Sequence, residues 1–283
     1  MRMAWMALIA LLLAGQTAAY AQSAVLDRIR TSAVIRIGYI EDAAPFSSVG
    51  ADGQPQGYSI DLCREVAAAV RTQLNLPALE TRWVPVTVQN RLDAVRKGTV
   101  DLECSTTTWT LSRQAAVDVS LITFVDGGSI LAKAGTKMAR LVDIDGKRIA
   151  VITGTTTEKV LQESLGQRSL KTQLVPVKTR SEGLALLESG KVDGFASDRT
   201  TLIALVSGRA GPRTFTLLEE DFSVEPYVLT LPRDPDFRLA VNRVLARIYR
   251  SGEITSIYNR WLGLLGPPSL LLSATYFVQS LGE

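Results

Sequence analysis

The stretch Val100–Gln114, VDLECSTTTWTLSRQ, decides how the rest of this chain is interpreted. It predicts a short strand after the turn Lys97-Gly98, and the strand ends in four successive hydroxyls, Ser105–Thr108. Buried hydroxyls need partners, so the run suits a small polar ligand at the mouth of a sheet. Arg113 follows and can hold a carboxylate through two parallel hydrogen bonds. The alternative is a solvated loop with a surface arginine, and the surrounding sequence has to decide between them.

Strands and helices alternate around this stretch. Apolar periodicity and glycine stops place the elements, and their alternation predicts a mostly parallel α/β sheet, in which ligands lie at the carboxyl ends of strands. The predicted elements are the strand Val34–Tyr39, the helix Ile60–Leu74, the strand Arg82–Val86, the helix Asn90–Lys97 and the strand Val100–Ser105.

The same order of elements returns later in the chain. This repeat predicts two similar α/β lobes. It aligns Asp101 with Asp193 and Thr106 with Asp198, so both lobes carry polar groups just after an equivalent strand and together form a cleft. The repeated elements are the strand Lys147–Ile152, the helix Thr155–Leu165 ended by Gly166, the strand Gln173–Val177, the helix Leu184–Ser189 and the strand Val192–Asp198.

Two segments are expected to cross between the lobes. Ser129–Lys133 leads out and Glu225–Leu231 leads back. Lobe I is therefore predicted to hold residues 24–127 and 226–283, and lobe II residues 128–225. Two amphipathic helices, Pro235–Tyr249 and Ser251–Trp261, follow the second crossing, and the short apolar tail is expected to pack on lobe I as a strap.

Composition excludes several classes of protein. The chain has no histidine, which removes Ser-His-Asp and Cys-His nucleophile machinery. With two cysteines besides, we expect no metal site and no cofactor. The net charge of +3 comes from scattered basic residues, so no nucleic-acid partner is expected.

The first residues, 1–21, read as a signal peptide. Arg2 precedes an apolar run, and Ala19-Tyr20-Ala21 has the form of a cleavage site. The run is too short to span a membrane, so we expect an exported, soluble mature protein. Cys63 and Cys104, on a helix and the strand beside it, can then form a disulfide; the alternative is two buried thiols.

Groups of opposite charge meet at the predicted cleft. Gly154–Glu158 follows a strand, and Thr155 has the spacing of an N-cap with Glu158. A helix N-terminus favours an anion. Asp198 ends the equivalent strand of lobe II, where an unpaired carboxylate is costly to bury; Arg199 offers a simple surface pair as the alternative. Together with Arg113, these groups are complementary to a zwitterion, the head group of an α-amino acid.

Eight short motifs, in order and spacing, resemble the family 3 extracellular solute-binding proteins, and among them the periplasmic glutamate/aspartate-binding proteins of ABC importers. The resemblance covers essentially the whole mature chain and implies the two-lobed, hinged fold of type II periplasmic binding proteins. The motifs are Pro45-Phe46, Gly57–Asp61, Gln89–Arg91, Asp101–Cys104, Thr106–Thr108, Arg113-Gln114, Gly154–Thr156 with Glu158, and Leu187–Gly190.

The resemblance implies a ligand set. Three positions depart from that branch, all at the side-chain end of the ligand: Ile40 replaces an arginine, Val88 a serine and Arg180 a histidine. Since Arg180 restores one cation, we expect it to hold the distal carboxylate together with Arg91. The other implied roles are Arg113 and Thr108 for the α-carboxylate, Asp198 for the ammonium, and Thr106 and Thr155 for further hydrogen bonds.

The expected function is capture of an amino acid, by hinge closure of the two lobes. The resemblance implies that the protein is periplasmic, not an enzyme, and a partner of the membrane permease of an ABC importer. We expect a monomer that prefers glutamate or aspartate. The alternatives are glutamine, asparagine or a broader polar set as ligand, or a dehydratase of the cyclohexadienyl dehydratase type on the same fold.

Overall fold

The computed structural model describes residues 23–207 and 214–282. The predicted signal peptide, residues 1–21, lies outside the described residues. In chain order the strands are β1 Val34–Tyr39, β2 Asp42–Ala43, β3 Ser47–Val49, β4 Pro55–Gln56, β5 Glu80–Pro85, β6 Leu102–Glu103, β7 Asp118–Lys133, β8 Arg148–Ile152, β9 Gln173–Val177, β10 Gly194–Asp198, β11 Phe215–Leu217 and β12 Ser223–Leu231.

The helices pack on both lobes. None in the two described ranges is long and apolar enough to cross a membrane. In chain order they are α1 Ala24–Ser32, α2 Tyr58–Gln73, α3 Arg91–Arg96, α4 Leu111–Gln114, α5 Thr156–Arg168, α6 Arg180–Glu188, α7 Arg199–Val206, α8 Pro235–Ser251, α9 Glu253–Leu262 and α10 Leu270–Val278.

One sheet of the described chain joins the two lobes. Its order is β5-β1-β6-β12-β7-β10-β8-β9, with β11 also paired to β7. β1 runs parallel to β5 and β6, and β8 runs parallel to β9 and β10. The long strands β7 and β12 pair antiparallel between these groups. The fold is therefore the predicted two-lobed α/β fold, and both predicted crossings lie in its central strands. The exact limits of the lobes stay a prediction.

The internal repeat has a structural counterpart in each lobe. In lobe I the backbone N–H of Arg36 donates to Asp101 Oδ2 at 2.8 Å, and the Arg36 guanidinium bonds the same carboxylate. In lobe II Arg148 and Asp193 make the same backbone contact at 2.8 Å and the same ion pair. In both lobes the aspartate before the third strand thus fixes the start of the first strand.

The core of lobe I lies between the sheet and the helices α2, α8 and α9. Cys63 on α2 and Cys104 beside β6 form the predicted disulfide, with their Cα atoms 6.5 Å apart. The apolar tail forms α10, and Tyr276 on it reaches the buried hydroxyl of Tyr58 at 2.7 Å. The tail is therefore a strap on lobe I, as the sequence predicts.

Three predicted boundaries are wrong for local reasons. Helix α6 begins at Arg180, not at Leu184, because the Thr179 side chain accepts from the N–H of Glu182 and caps the helix there. Helix α5 continues through Gly166 to Arg168 and ends where Ser169 takes a left-handed conformation, φ 53°. The strand predicted at Val100–Ser105 is continuous only over Leu102–Glu103, and beyond it the hydroxyl run keeps a single antiparallel bridge, between Thr108 and Tyr227.

The lobes touch across the cleft. Gln89 of lobe I donates through Nε2 to the carbonyl of Thr153 in lobe II at 3.1 Å. Asp42 Oδ2, also in lobe I, accepts the N–H of Arg180 at 2.8 Å. These contacts join residues far apart in sequence, so they exist only when the cleft is closed.

Candidate functional site

A narrow cavity lies between the lobes. All seven residues that the sequence assigns to ligand binding line it, together with Val88, one of the three departures from the family branch. The structure thus brings together the complete predicted set, although those residues are scattered along the chain. The lining residues are Val88, Arg91, Thr106, Thr108, Arg113, Ile152, Thr155, Thr156, Thr157, Arg180, Ala196, Ser197 and Asp198.

Lobe I contributes Arg113 through a short capped helix. The hydroxyl of Thr110 accepts the N–H of Arg113 at 3.1 Å and starts α4. The guanidinium then turns back and donates through Nη1 to the carbonyl of Thr108 at 2.8 Å. Burial lowers the pKa of Arg113, so this cation is partly deprived of water and needs an anion.

Arg91 is a second cation from lobe I and is 4% exposed. Its Nε donates to Thr107 Oγ1 at 2.7 Å and its Nη1 to the carbonyl of Val88. Burial lowers the pKa of Arg91 to about 10, and the nearby charges of Arg113 and Arg180 contribute to the decrease. The guanidinium remains charged at neutral pH, held by neutral acceptors.

Arg180 enters from lobe II and is 3% exposed. Its Nη2 donates to Thr106 Oγ1 at 3.1 Å, and its Nη1 lies 3.6 Å from Asp42 Oδ1. Among the described residues, its Nε and Nη1 have no hydrogen-bond acceptor. Donors left unsatisfied in a buried site are costly, so the position of Arg180 calls for an anion in the cavity.

Helix α5 begins at the cavity. The Thr155 hydroxyl accepts the N–H of Glu158 at 3.0 Å and donates to the carbonyl of Ile152 at 2.7 Å. Thr155 is therefore the N-cap, as predicted. Glu158 reaches back to the N–H of Gly154 at 2.8 Å, so the turn before the helix is fixed from both ends.

Asp198 supplies the only carboxylate among the lining residues that the structure describes. It is 7% exposed and accepts from Tyr227 Oη at 2.6 Å and from Thr157 Oγ1 at 3.2 Å. The alternative of a surface pair with Arg199 is wrong, because Arg199 Nε bonds Asp221 Oδ1 at 2.5 Å. Within residues 23–207 and 214–282, Asp198 has no salt-bridge partner.

Behind the lining lies a group of buried residues that sequence reasoning missed. The sequence predicts Glu225 and Tyr227 only as parts of a crossing strand. In the structure, Asp126 on β7 lies opposite Glu225. Burial raises the pKa of Asp126 to about 7, and the charge of Asp198 adds to the rise. The sequence does contain one signal of this group, the charged residue Glu225 at the start of the otherwise mostly apolar segment EPYVLTL.

A metal does not explain the site. In the described ranges no group of three or more His, Cys, Asp or Glu side chains could hold a metal ion. The arrangement is instead a cavity with three guanidinium groups, several hydroxyls and one carboxylate, which suits an organic ion carrying both charges.

Comparison with known proteins identifies the family. The profile of the bacterial extracellular solute-binding proteins, family 3, matches residues 35–264. An L-glutamate/L-aspartate-binding protein of Pseudomonas aeruginosa is 32% identical over 264 residues, covering 93% of this chain and 87% of that protein. A glutamate/aspartate import solute-binding protein of Escherichia coli is 30% identical over 255 residues, covering 90% of this chain and 84% of that protein.

Solved structures agree in fold. A solute receptor for L-cysteine of Neisseria gonorrhoeae superposes with a TM-score of 0.76 at 22% identity, covering 86% of this chain and 97% of that chain. This likeness concerns the fold alone. Because the family profile spans most of the chain and both relatives align over most of their length, the chain belongs to the bacterial extracellular solute-binding proteins, family 3.

Proposed function

We propose that this protein captures an amino acid by closure of its two lobes and delivers it to the membrane permease of an ABC importer. One observation carries the proposal. The cavity between the lobes holds three arginines and a single carboxylate, Asp198, which has no salt-bridge partner among the described residues. Charges buried without partners are unfavourable, and a zwitterion would satisfy both signs at once.

The head group has a defined place in this proposal. The ligand α-carboxylate lies on Arg113, and its ammonium lies on Asp198. The hydroxyls of Thr106, Thr108 and Thr155 are available around them. The proposal agrees with the names of the two relatives, which bind glutamate and aspartate.

The preferred ligand in this proposal is acidic. Arg91 and Arg180 carry the charge for a distal carboxylate, and Arg180 has two buried donor atoms without acceptors. Val88 lines the cavity, whereas Ile40 is buried in an apolar cluster and is not among the lining residues; neither side chain offers a hydrogen bond. An amide such as glutamine or asparagine would bring no charge to Arg91, and would leave Arg180 only its ion pair with Asp42 at 3.6 Å.

The dehydratase alternative needs a general acid or base that reaches the substrate. Among the described lining residues only Asp198 has a carboxyl group, and in our proposal it is committed to the ammonium. The enzyme hypothesis predicts turnover of prephenate by purified protein. We expect none.

Export, the periplasmic location, a monomeric state and the lobe limits at residues 127/128 and 225/226 belong to the same proposal. They follow from the predicted signal peptide and from the family. Mass spectrometry of secreted protein, to locate the cleavage after Ala21, tests the export, and light scattering tests the monomer.

Calorimetric titration tests the choice of ligand. Aspartate, glutamate, asparagine and glutamine are titrated into wild type, Arg180→Ala and the control Arg168→Ala, which removes an exposed arginine of the same lobe. We expect an acid to bind tightest and Arg180→Ala to weaken it by about 2 kcal/mol or more, since one partner of a buried charge pair is lost. An amide that binds about tenfold tighter than its acid, or an Arg180→Ala variant that binds acids like wild type, contradicts the assignment.

A further inference from the structure

Glu225 is a buried carboxylate whose direct partners are hydroxyls, with Arg113 close enough to interact with its charge. It is 1% exposed, and no described lysine or arginine forms a salt bridge with it. Its Oε1 accepts from Ser223 Oγ at 2.6 Å. Its Oε2 accepts from two threonines that line the ligand cavity, Thr108 at 2.7 Å and Thr156 at 2.6 Å. A carboxylate satisfied only by hydroxyls is unusual, because buried charges are normally paired.

Three segments of the chain meet at this carboxylate. Thr108 ends the hydroxyl run of lobe I, Thr156 is the first residue of α5 in lobe II, and Glu225 lies on β12 between the lobes. The oxygens of Thr108 and Thr156 are 3.2 Å apart. The cluster therefore forms only when both lobes have closed.

The contacts of the two hydroxyls with Glu225 Oε2, at 2.7 and 2.6 Å, are shorter than the 3.2 Å between them, so we assign both hydroxyl protons to Glu225. Each threonine hydroxyl has one proton and two lone pairs. When the Thr108 and Thr156 protons both go to Glu225 Oε2, the oxygens can offer only lone pairs to the cavity. They then accept hydrogen bonds from a ligand and cannot donate to its carboxylate.

Such acceptors match one chemical group. An ammonium has three N–H donors and no acceptor. Asp198 can take one of them, and the oxygens of Thr108 and Thr156 can take the other two. Burial and the charge of Asp198 raise the pKa of Glu225, so a cation held in front of the hydroxyls would also relieve the cost of its charge.

We propose that Glu225 is a positioning residue that holds Thr108 and Thr156 as acceptors facing the cavity and thereby makes the site select a ligand ammonium. The proposal rests on the amino-acid function given above. It moves Thr108 from the carboxylate pole, where the family resemblance places it, to the ammonium pole. Arg113 alone then holds the α-carboxylate through its side chain.

The test compares an amino acid with the same molecule lacking its ammonium. Glutamate and glutarate are titrated calorimetrically into wild type, Glu225→Gln and the control Glu219→Gln, which changes an exposed glutamate of the preceding segment. Whichever way the new amide faces, the negative charge behind the hydroxyls is gone. We expect the preference for glutamate over glutarate to fall about tenfold in Glu225→Gln, equivalent to about 1.4 kcal/mol, and to persist in Glu219→Gln.

A second variant keeps the proposal testable if Glu225→Gln does not fold. Thr156→Val keeps the shape of the side chain and removes one acceptor, so its glutamate preference should fall by a smaller factor while glutarate binding is kept. If Glu225→Gln keeps the full preference, or loses both ligands equally, Glu225 has no selective role. If wild type itself shows no preference for glutamate, the amino-acid function fails and the role of Glu225 fails with it.

Discussion

The two lobes share a scaffold but carry different polar groups just past their equivalent strands. In each, an aspartate before the third strand holds an arginine at the start of the first, Asp101 with Arg36 and Asp193 with Arg148. Past the equivalent strand ends they diverge, because lobe I places hydroxyls and Arg113 there and lobe II places Asp198. The comparison teaches that the repeated scaffold fixes where polar groups lie, while a few side chains at the strand ends determine the polarity of the site.

The crossing strands differ from both lobes. They carry the buried carboxyl groups of Asp126 and Glu225, and Tyr227 Oη bridges between Asp126 and Asp198 with distances of 3.2 and 2.6 Å. One phenol proton cannot serve both carboxylates, and the shorter contact goes to Asp198. The hinge of the closed protein therefore concentrates carboxyl groups behind the pole that we assign to the ammonium.

The largest effect that we expect comes from the buried carboxyl group of Asp126, which should make the free energy of unfolding depend on pH. Burial first, and then the charges around it, raise the pKa of Asp126 from 3.8 to about 7. The folded state then binds this proton more tightly than the unfolded state, so the contribution of Asp126 to stability is full below pH 3.8 and is lost as the pH rises through about 7. Each pKa unit is worth about 1.4 kcal/mol, so the free energy of unfolding should change by a few kcal/mol across this window.

Urea unfolding of wild type and Asp126→Asn at about pH 5 and pH 8 measures the effect. The difference in unfolding free energy between the two pH values should be smaller in the variant, by the part that Asp126 contributes. Tyr227, Asp198 and Glu225 face Asp126 and remain in both proteins. Asp193→Asn is a control that should leave the slope between these two pH values unchanged, since the hydrogen bond to Arg148 lowers the pKa of Asp193 from 3.8 and confines its titration to more acidic solution. Equal slopes in wild type and Asp126→Asn would show that Asp126 is ionised in the folded protein.

A smaller effect separates the two scaffold aspartates. The Asp101 side chain is 2% exposed and also bonds Arg28, whereas the Asp193 side chain is 34% exposed. We expect Asp101→Asn to cost about 2 kcal/mol of unfolding free energy, because buried hydrogen-bonded charges are lost, and Asp193→Asn to cost less than about 1 kcal/mol. Urea midpoints at neutral pH decide this, and equal losses would mean that burial does not distinguish the lobes.

Local sequence signals gave much of the fold. Caps such as Thr155 and turns such as Gly98 and Gly190 mark element ends through their own chemistry. The start of α6 at Arg180 was not predicted, because a single threonine before a charged residue is a weak signal of a helix N-cap. The rule that ligands lie at strand ends, applied to both copies of the repeat, predicts the hydroxyl run, Arg113, Thr155 and Asp198, whereas Arg91 and Arg180 come from the family resemblance.

The buried residues behind the cavity lining could not be predicted in this way. Glu225 meets Thr108 across 117 residues of sequence, and no periodicity records such a contact. Asp126 likewise takes its properties from Asp198 and Thr200 on other elements. These groups depend on how two distant strands pair at the hinge, which only the assembled fold reveals.

The central claim is that Arg113 of lobe I holds the α-carboxylate of the ligand and Asp198 of lobe II is the charge partner of its ammonium. Calorimetric titration of the preferred amino acid and its deaminated analogue into wild type, Arg113→Ala, Asp198→Asn and the control Arg82→Ala, an exposed arginine of lobe I, tests it most directly. The account predicts that Arg113→Ala abolishes binding of both ligands, and that Asp198→Asn weakens the amino acid far more than its analogue. Binding by Arg113→Ala within about threefold of wild type, or full discrimination by Asp198→Asn, would contradict it.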